Sequence, residues 1–244
     1  MARHGRSPSW KDPYRSQTLR PLNCLLFLLP LLAFFHIGTA VYGSHLLAPR
    51  DIGKILRYFG ATVAYLPAVV VVVILLAQHV AHKDRLRTHP TVLAGMLAES
   101  IFWMLPLIAM AMVTNRAWMH QASAGAPEAA SVLERCVSAV GAGIYEEFIF
   151  RLFLISILLL ILIDVFDLPR DAMTVVAVVV SAVAFSLYHF PGEQLSRLSG
   201  LPWYDLVFRT LAGVYLGSVY VFRGLGIAVG AHAMYNIYAT LWHA

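Results

Sequence analysis

The chain has 244 residues, 59% of them hydrophobic and only 13% charged, with a mean hydropathy of +0.71. A soluble domain of this length would carry about a quarter charged residues, so composition excludes a water-soluble globule and points to a single polytopic membrane domain. The net charge of +5 is no sign of a nucleic-acid partner, because the basic residues sit mostly beside apolar runs, where they set topology and meet anionic lipid.

Residues 1–21 are polar, with Arg3, Arg6, Lys11, Arg15 and Arg20, and with Pro8 and Pro13. They read as a disordered basic cytoplasmic tail. The first apolar run starts near Leu22 and ends near Leu47. It is too long for a signal-peptide core and reads as a retained helix. A second run spans about Arg57 to Ala81, and the basic connector His82 to Arg87 follows it. A third covers about Pro90 to Val113, with Glu99 near its middle. Residues 114–130 form the longest polar loop.

From Ser131 to Phe166 the chain is again mostly apolar. That length exceeds one straight span at about 1.5 Å per residue. The expectation is a tilted or interfacial first half followed by a span that holds Glu146 to Ile163. A fifth span runs from Ala172 to Phe190 and stops at Pro191-Gly192. A loop of amphipathic character, Glu193 to Asp205, leads to a sixth span, Leu206 to Phe222. Arg223-Gly224 breaks it, and the last runs from Leu225 to Trp242.

Seven spans result, or eight if residues 131–166 split. Each must satisfy its own backbone in lipid, so the fold class is an all-α transmembrane bundle. Lys/Arg placement favours the N-terminus inside. Gly213-xxx-Gly217 and Gly226-xxx-Gly230 suit close helix packing. Cys24 and Cys136 have no CxxC spacing and read as buried free thiols.

Charges at membrane depth are costly, so those inside the spans are functional candidates. Glu146, Glu147 and Arg151 stand together in one of the most apolar stretches. On an α-helix Glu147 and Arg151 are four apart and share a face, while Glu146 points roughly 100° away from Glu147. Glu147 then neutralises Arg151, and Glu146 is left free to act as a base. His189 ends the fifth span. His232 and Asn236, four apart in the last span, point the same way. Glu99, His36, His79 and Arg209 are scattered singles. A structural ion pair suits Glu99, with Arg209 as a candidate partner. A lone membrane histidine is usually a helix–helix hydrogen-bonding group, and Arg209, near a span end, can snorkel to the interface.

A glutamate, two histidines and an asparagine on three spans suit peptide-bond hydrolysis around a polar intramembrane cavity. Glu146 can take a proton from water, His189 can orient that water or protonate the leaving amine, and His232 with Asn236 can donate to the oxyanion. The alternative wiring is metallic, with zinc on His189 and His232 and Glu146 activating its water. No HExxH is present.

Glu146-Glu147-xxx-Arg151, Phe185-xxx-His189 and His232-xxx-Asn236, in that order on apolar spans, resemble the three motifs of the CPBP family of intramembrane endopeptidases (CAAX proteases and bacteriocin-processing enzymes, also called ABI). The span Leu206 to Tyr220 resembles the family's segment before its last motif. The glycine usual after the arginine is Leu152 here, a departure that bears on packing. The resemblance covers about residues 130–240. It divides the chain into the tail, membrane helices over residues 22–127, and a CPBP-like catalytic core over 128–244. It implies an eight-helix-like core with a polar cavity, Glu146 and His189 as the water-activating pair, His232 and Asn236 as the oxyanion site, and Glu147 and Arg151 in support. The family is often labelled metalloprotease, yet its mechanism is described as a metal-independent glutamate one. With two histidines and one free glutamate, the expectation is no cofactor, with zinc as the alternative. The expected partners are membrane lipid and a protein or peptide substrate. The expected setting is a multi-pass protein of a bacterial plasma membrane, since no organelle signal is evident. Two other readings compete: a non-catalytic immunity or binding protein of the same fold, and a proton-coupled transporter, against which the chain has no internal repeat.

Overall fold

The computed structural model describes residues 13–42, 66–82, 86–113, 131–190 and 202–242. These residues are all-helical, without a strand. The helices are α1 (Tyr14–Thr18), α2 (Pro21–Tyr42), α3 (Leu66–Ala81), α4 (Pro90–Val113), α5 (Val132–Val165), α6 (Arg170–Tyr188), α7 (Trp203–Arg223) and α8 (Leu225–Trp242). By length and composition α2, α4, α5, α6 and α7 can each cross a membrane, and α3 is a shorter apolar helix. The molecule is an integral membrane helical bundle. The expected loops at residues 114–130 and 193–201, residues 1–12 of the tail, and the start of the second span lie outside the described residues.

Residues 131–166 do not split. They form one 34-residue helix, α5. No proline interrupts it, and Ser131 opens it by accepting the backbone N–H of Glu134 at 3.2 Å, a cap that also places a carboxylate in the first turn. The helix changes character instead of breaking. Val132–Glu147 is α-helical, Phe148–Ile155 is π-helical, Ser156–Leu159 returns to α, and Leu160–Val165 is π again. The widened turns release backbone carbonyls from the ordinary ladder. The Ser181 hydroxyl donates to the carbonyl of Phe150 at 2.5 Å, satisfying it from the neighbouring helix.

The last helix, α8, is the inner one. Most of its residues are buried, among them Gly226, Ala228, Gly230, Ala231 and Ala233. It packs chiefly on α4 and α5. Protein, not lipid, surrounds most of it. Its small side chains let its neighbours approach. A β-carbon at Gly226 would sit 2.7 Å from the methyl of Met96 on α4, and one at Gly230 would collide with Ser100. On the other side of the bundle, one at Gly213 of α7 would lie 2.9 Å from the Ala182 backbone of α6. Both glycine pairs therefore serve close packing, as their spacing suggests.

At the end of the bundle where α1 lies, the structure departs from the expected disordered tail. Residues 14–18 are helical, and Gln17, Thr18 and Arg20 are buried. They are held by polar contacts that composition does not reveal. Arg20 donates to the Arg87 carbonyl and to Gln17, both at 3.1 Å, and Asn23 donates to the Gln17 carbonyl at 2.7 Å. Thr88 donates to Asn23 at 2.8 Å.

The partner of Glu99 is Arg223, not Arg209. Arg223 grips both carboxylate oxygens, with Nη2 at 2.8 Å from Oε2 and Nε on Oε1, while Trp103 donates to Oε1 at 2.9 Å. The two arginines stand 14 residues apart on α7, about 21 Å along a helix, and only the Arg223 end faces Glu99. The Tyr14 ring lies under the Arg223 guanidinium at 5.6 Å. Burial, helped by a hydrogen bond to Glu99, pushes the Tyr14 hydroxyl pKa well up, so it remains a donor. Arg209 does not snorkel. It is 5% exposed, with its guanidinium carbon 5.2 Å from the Phe190 ring centre. Cys24 and Cys136 are free thiols, the first buried and the second partly so.

Candidate active site

Three helices converge on one buried centre. α5 supplies Glu146 and Glu147 from its last α-turn and Arg151 from its first π stretch. α6 supplies His189 at its C-terminal cap, and α8 supplies His232 and Asn236. The approach of α5 and α8 is very close. A β-carbon at Gly143 would lie 2.8 Å from both the Cα and the N of Ala233. Gly143 is one turn before Glu147 and Ala233 follows His232, so this crossing is what lets the carboxylates of one helix reach the imidazole of the other.

The Glu146 carboxylate stands between two imidazoles. Its Oε1 is 3.7 Å from Nε2 of His189, and its Oε2 is 3.8 Å from Nε2 of His232. These gaps exceed a direct hydrogen bond and suit one small polar molecule touching both partners. Each ring is oriented through its other nitrogen. Nδ1 of His189 donates to the Phe185 carbonyl at 2.8 Å, and Nδ1 of His232 donates to Oε1 of Glu147 at 2.8 Å. Both Nε2 atoms are thereby aimed at Glu146.

Glu147 is fully buried and does more than neutralise Arg151. It bridges Arg151, whose Nε is 3.2 Å from Oε2, and His232. Arg151 is also fully buried. It donates to the Gly213 carbonyl at 3.4 Å and lies 4.6 Å over the Phe185 ring. Phe185 in turn meets His189 and His232 edge-on, at 4.8 and 6.1 Å between ring centres. Asn236 sits one turn beyond His232, and one amide N–H donates to the Ala139 carbonyl at 3.4 Å, which leaves its second N–H uncommitted by that bond.

Glu146, His189 and His232 meet within 3.8 Å contacts, with Glu147 and Arg151 behind them, while Asn236 lies one turn along α8 from His232 with its amide on the Ala139 carbonyl. Of the singles, Arg209 lies over the ring of Phe190, next to His189, near enough for its charge to act on Glu146, and the other three are elsewhere. Glu99 is in the α4–α7 ion pair, His79 is buried on α3, and His36 accepts or donates to the hydroxyl of Tyr145 at 3.1 Å. The sequence reading missed the Glu147–His232 bond and the role of Phe185 as a platform. The first depends on how α5 and α8 are rotated against each other, which no local spacing encodes. The second had a signal, since Phe185 precedes His189 by one turn.

A metal was tested against the same donors. Ligands of a tetrahedral zinc, each about 2.0–2.1 Å from the ion, stand closer to one another than 3.7–3.8 Å. Among the described residues no group of three His, Cys, Asp or Glu side chains closes to metal-holding geometry.

The fold and the site define the class: an all-helical membrane protein with a buried glutamate held between two oriented histidines. Residues 128–238 match the family model described as type II CAAX prenyl endopeptidase Rce1-like. The matched stretch carries all three motifs and is similar to the CAAX-type family that they resemble. No curated protein and no solved structure matches the chain.

Proposed function

We propose that this protein is an intramembrane endopeptidase that cuts a membrane-associated protein or peptide, and that Glu146 is its general base. The observation that carries the reading is the placement of the Glu146 carboxylate 3.7 and 3.8 Å from two imidazole Nε2 atoms whose rings are fixed from behind. A water in that gap gives its proton to Glu146, and its oxygen attacks the scissile carbonyl carbon. The carbonyl π electrons move to oxygen, and the resulting oxyanion accepts hydrogen bonds from Nε2–H of His232 and the free N–H of Asn236. A His232 ring protonated on both nitrogens can keep Nδ1–H on Glu147 and donate from Nε2, with Glu147 as counter-charge. His189 holds the water and passes the proton to the departing amine as the C–N bond breaks.

The test is cleavage of a membrane-anchored reporter by purified protein. Glu146→Gln keeps the shape and removes the base, and about a 10²–10⁴-fold loss of rate is expected. Full activity in that variant, with the protein folded, sinks the mechanism.

A second reading has one observation on its side. Histidines that bind metals nearly always engage their other nitrogen with a carboxylate or a carbonyl, and His232 and His189 do so here. In that wiring His189 and His232 would hold zinc, which would supply Lewis-acid activation of water. Activity lost to a chelator and regained with zinc would favour it. The open donor geometry leads us to propose the metal-free wiring, with activity unchanged by chelation.

A further inference from the structure

Further along α5 from the site, towards the end of the bundle that holds α1, two cavities lie side by side. The first, about 360 Å³, has Leu75, Leu152 and Leu159 in its walls and Gln78, Arg170 and Thr174 among its polar lining. The second, about 320 Å³, lies between α3 and α5 and is lined by Ile74, Phe153, Ile157 and Leu160. Gln78 and Leu152 line both, so the two adjoin at these side chains, the neck of the combined trough. Among the described residues its polar end has one charged lining residue, Arg170, and its other end has none.

The trough opens on the lipid-facing surface. Val73, Leu76, Phe153 and Leu160, which flank it, are 43–55% exposed. α3 packs mainly on α2, and among the described residues no side chain fills its cleft with α5. Both π-helical stretches of α5 wall the trough: Leu152 and Phe153 belong to the first, and Leu160 begins the second. π-turns are rare and recur at functional sites, yet the catalytic carboxylates precede these stretches and do not require the second one. At the polar end, Arg170 is the first residue of the 19-residue α6, behind Pro169, and no side chain caps that helix. Its leading backbone N–H groups and the guanidinium are together suited to a phosphate. Asp171, next in the turn, does not line the cavity.

We propose that this trough is a binding site for a membrane glycerophospholipid, with the phosphate on Arg170 and the α6 N-terminus and one acyl chain laid along the π-helical half of α5. The occupant must be amphiphilic, because one end of the trough is charged and polar and the rest is apolar and open to the membrane. The site is separate from the catalytic centre and its occupancy does not depend on the chemistry proposed there.

The test uses full-length protein in detergent and phosphatidylglycerol bearing a photoactivatable group on its acyl chain, with adducts located by peptide mass spectrometry. Adducts concentrated on residues 153–160 and on Ile74 are expected. Arg170→Gln should weaken labelling about fivefold, the factor that corresponds to roughly 1 kcal/mol for one basic residue at a lipid headgroup. Gln78→Trp, which plugs the neck, should nearly abolish it, and Glu146→Gln should label as the wild type. Adducts spread evenly over the exposed faces of α4 and α6 would overturn the proposal. So would wild-type labelling in folded Arg170→Gln, or competition by a phosphate-free isoprenoid alcohol as strong as by phospholipid.

Discussion

At the scale of single residues, Glu147 is the side chain whose importance changed most between sequence and structure. Spacing alone pairs it with Arg151, and that pair is present at 3.2 Å. The same carboxylate also holds His232, so it couples charge compensation to the aim of a site histidine. Glu147→Gln removes the negative charge from a fully buried arginine. Breaking a buried pair at one partner costs about 3–5 kcal/mol, and a clearly lower thermal unfolding midpoint is expected in detergent. Activity should fall further than the folded fraction does, because His232 loses its anchor; equal falls would reduce Glu147 to a stability residue. Asn236→Ala makes the opposite separation. Its bond to Ala139 is long, at 3.4 Å, so stability should change little, while loss of one oxyanion donor should lower kcat about 10²–10³-fold. A merely structural Asn236 would give a small kcat change. Glu146, His189, His232 and Asn236 were legible in sequence because each is a polar group in an apolar helix, where its presence demands a reason. Arg223 as the partner of Glu99 was not, since the two are 124 residues apart and only the antiparallel placement of α4 and α7 decides which end of α7 is near.

At the scale of elements, the site depends on one crossing and one change of helix type. The crossing is Gly143 on Ala233. Gly143→Ala puts a methyl 2.8 Å from two backbone atoms of Ala233, which cannot move aside as a flexible side chain would. Overpacking of this kind costs about 1–3 kcal/mol, and it separates the helices that carry Glu146 and His232. Gly217→Ala is the control. Its new methyl would meet a side-chain carbon of Val178 at 3.0 Å, and that side chain can adjust. Activity should therefore drop at least tenfold in Gly143→Ala and stay near wild type in Gly217→Ala, measured on the same reporter; similar values for both would remove the crossing from the mechanism. The sequence reading took residues 131–166 as too long for one straight span and expected a tilted or interfacial first half, with a split as the alternative. With no proline and a strong cap at Ser131, the chain keeps a single helix and shifts to wider turns after Glu147. Hydrophobic periodicity does not distinguish a π-turn from an α-turn over eight residues, which is why this change was invisible beforehand. The i, i+4 pairing of Glu147 with Arg151 nonetheless survives, because Glu147 closes the last α-turn and Arg151 lies just inside the first π stretch.

At the scale of the whole molecule, the arrangement of charge makes an orientation argument. Among the described residues Arg15, Arg20, Arg87, Arg170 and Arg223 gather at the end that holds α1: Arg20 bonds to Arg87, Arg223 lies on Tyr14, and Arg170 shares a cavity with Thr18. Positive charge near helix ends is retained on the cytoplasmic side. Among the described residues seven helices, α2 to α8, run between the two ends, five of them long and apolar enough to cross a membrane. An odd number of passes puts α1 and the end of α8 on opposite faces. The contacts of α1 with the 86–89 segment and the α7–α8 corner are consistent with this count, since all three belong to one end. Impermeant maleimide on intact cells gives the check, in a Cys136→Ser background that leaves Cys24 buried. A cysteine at the exposed Trp242 should label from outside, and one at Ser16 only after the membrane is opened. Labelling of both from one side would mean an even number of passes, and α8, which is not among the five long apolar helices, would then be the helix that fails to cross. Labelling of Ser16→Cys alone from outside would keep the seven passes and reverse the orientation, placing the arginine-rich end, and the cavity that Arg170 lines, on the outer face.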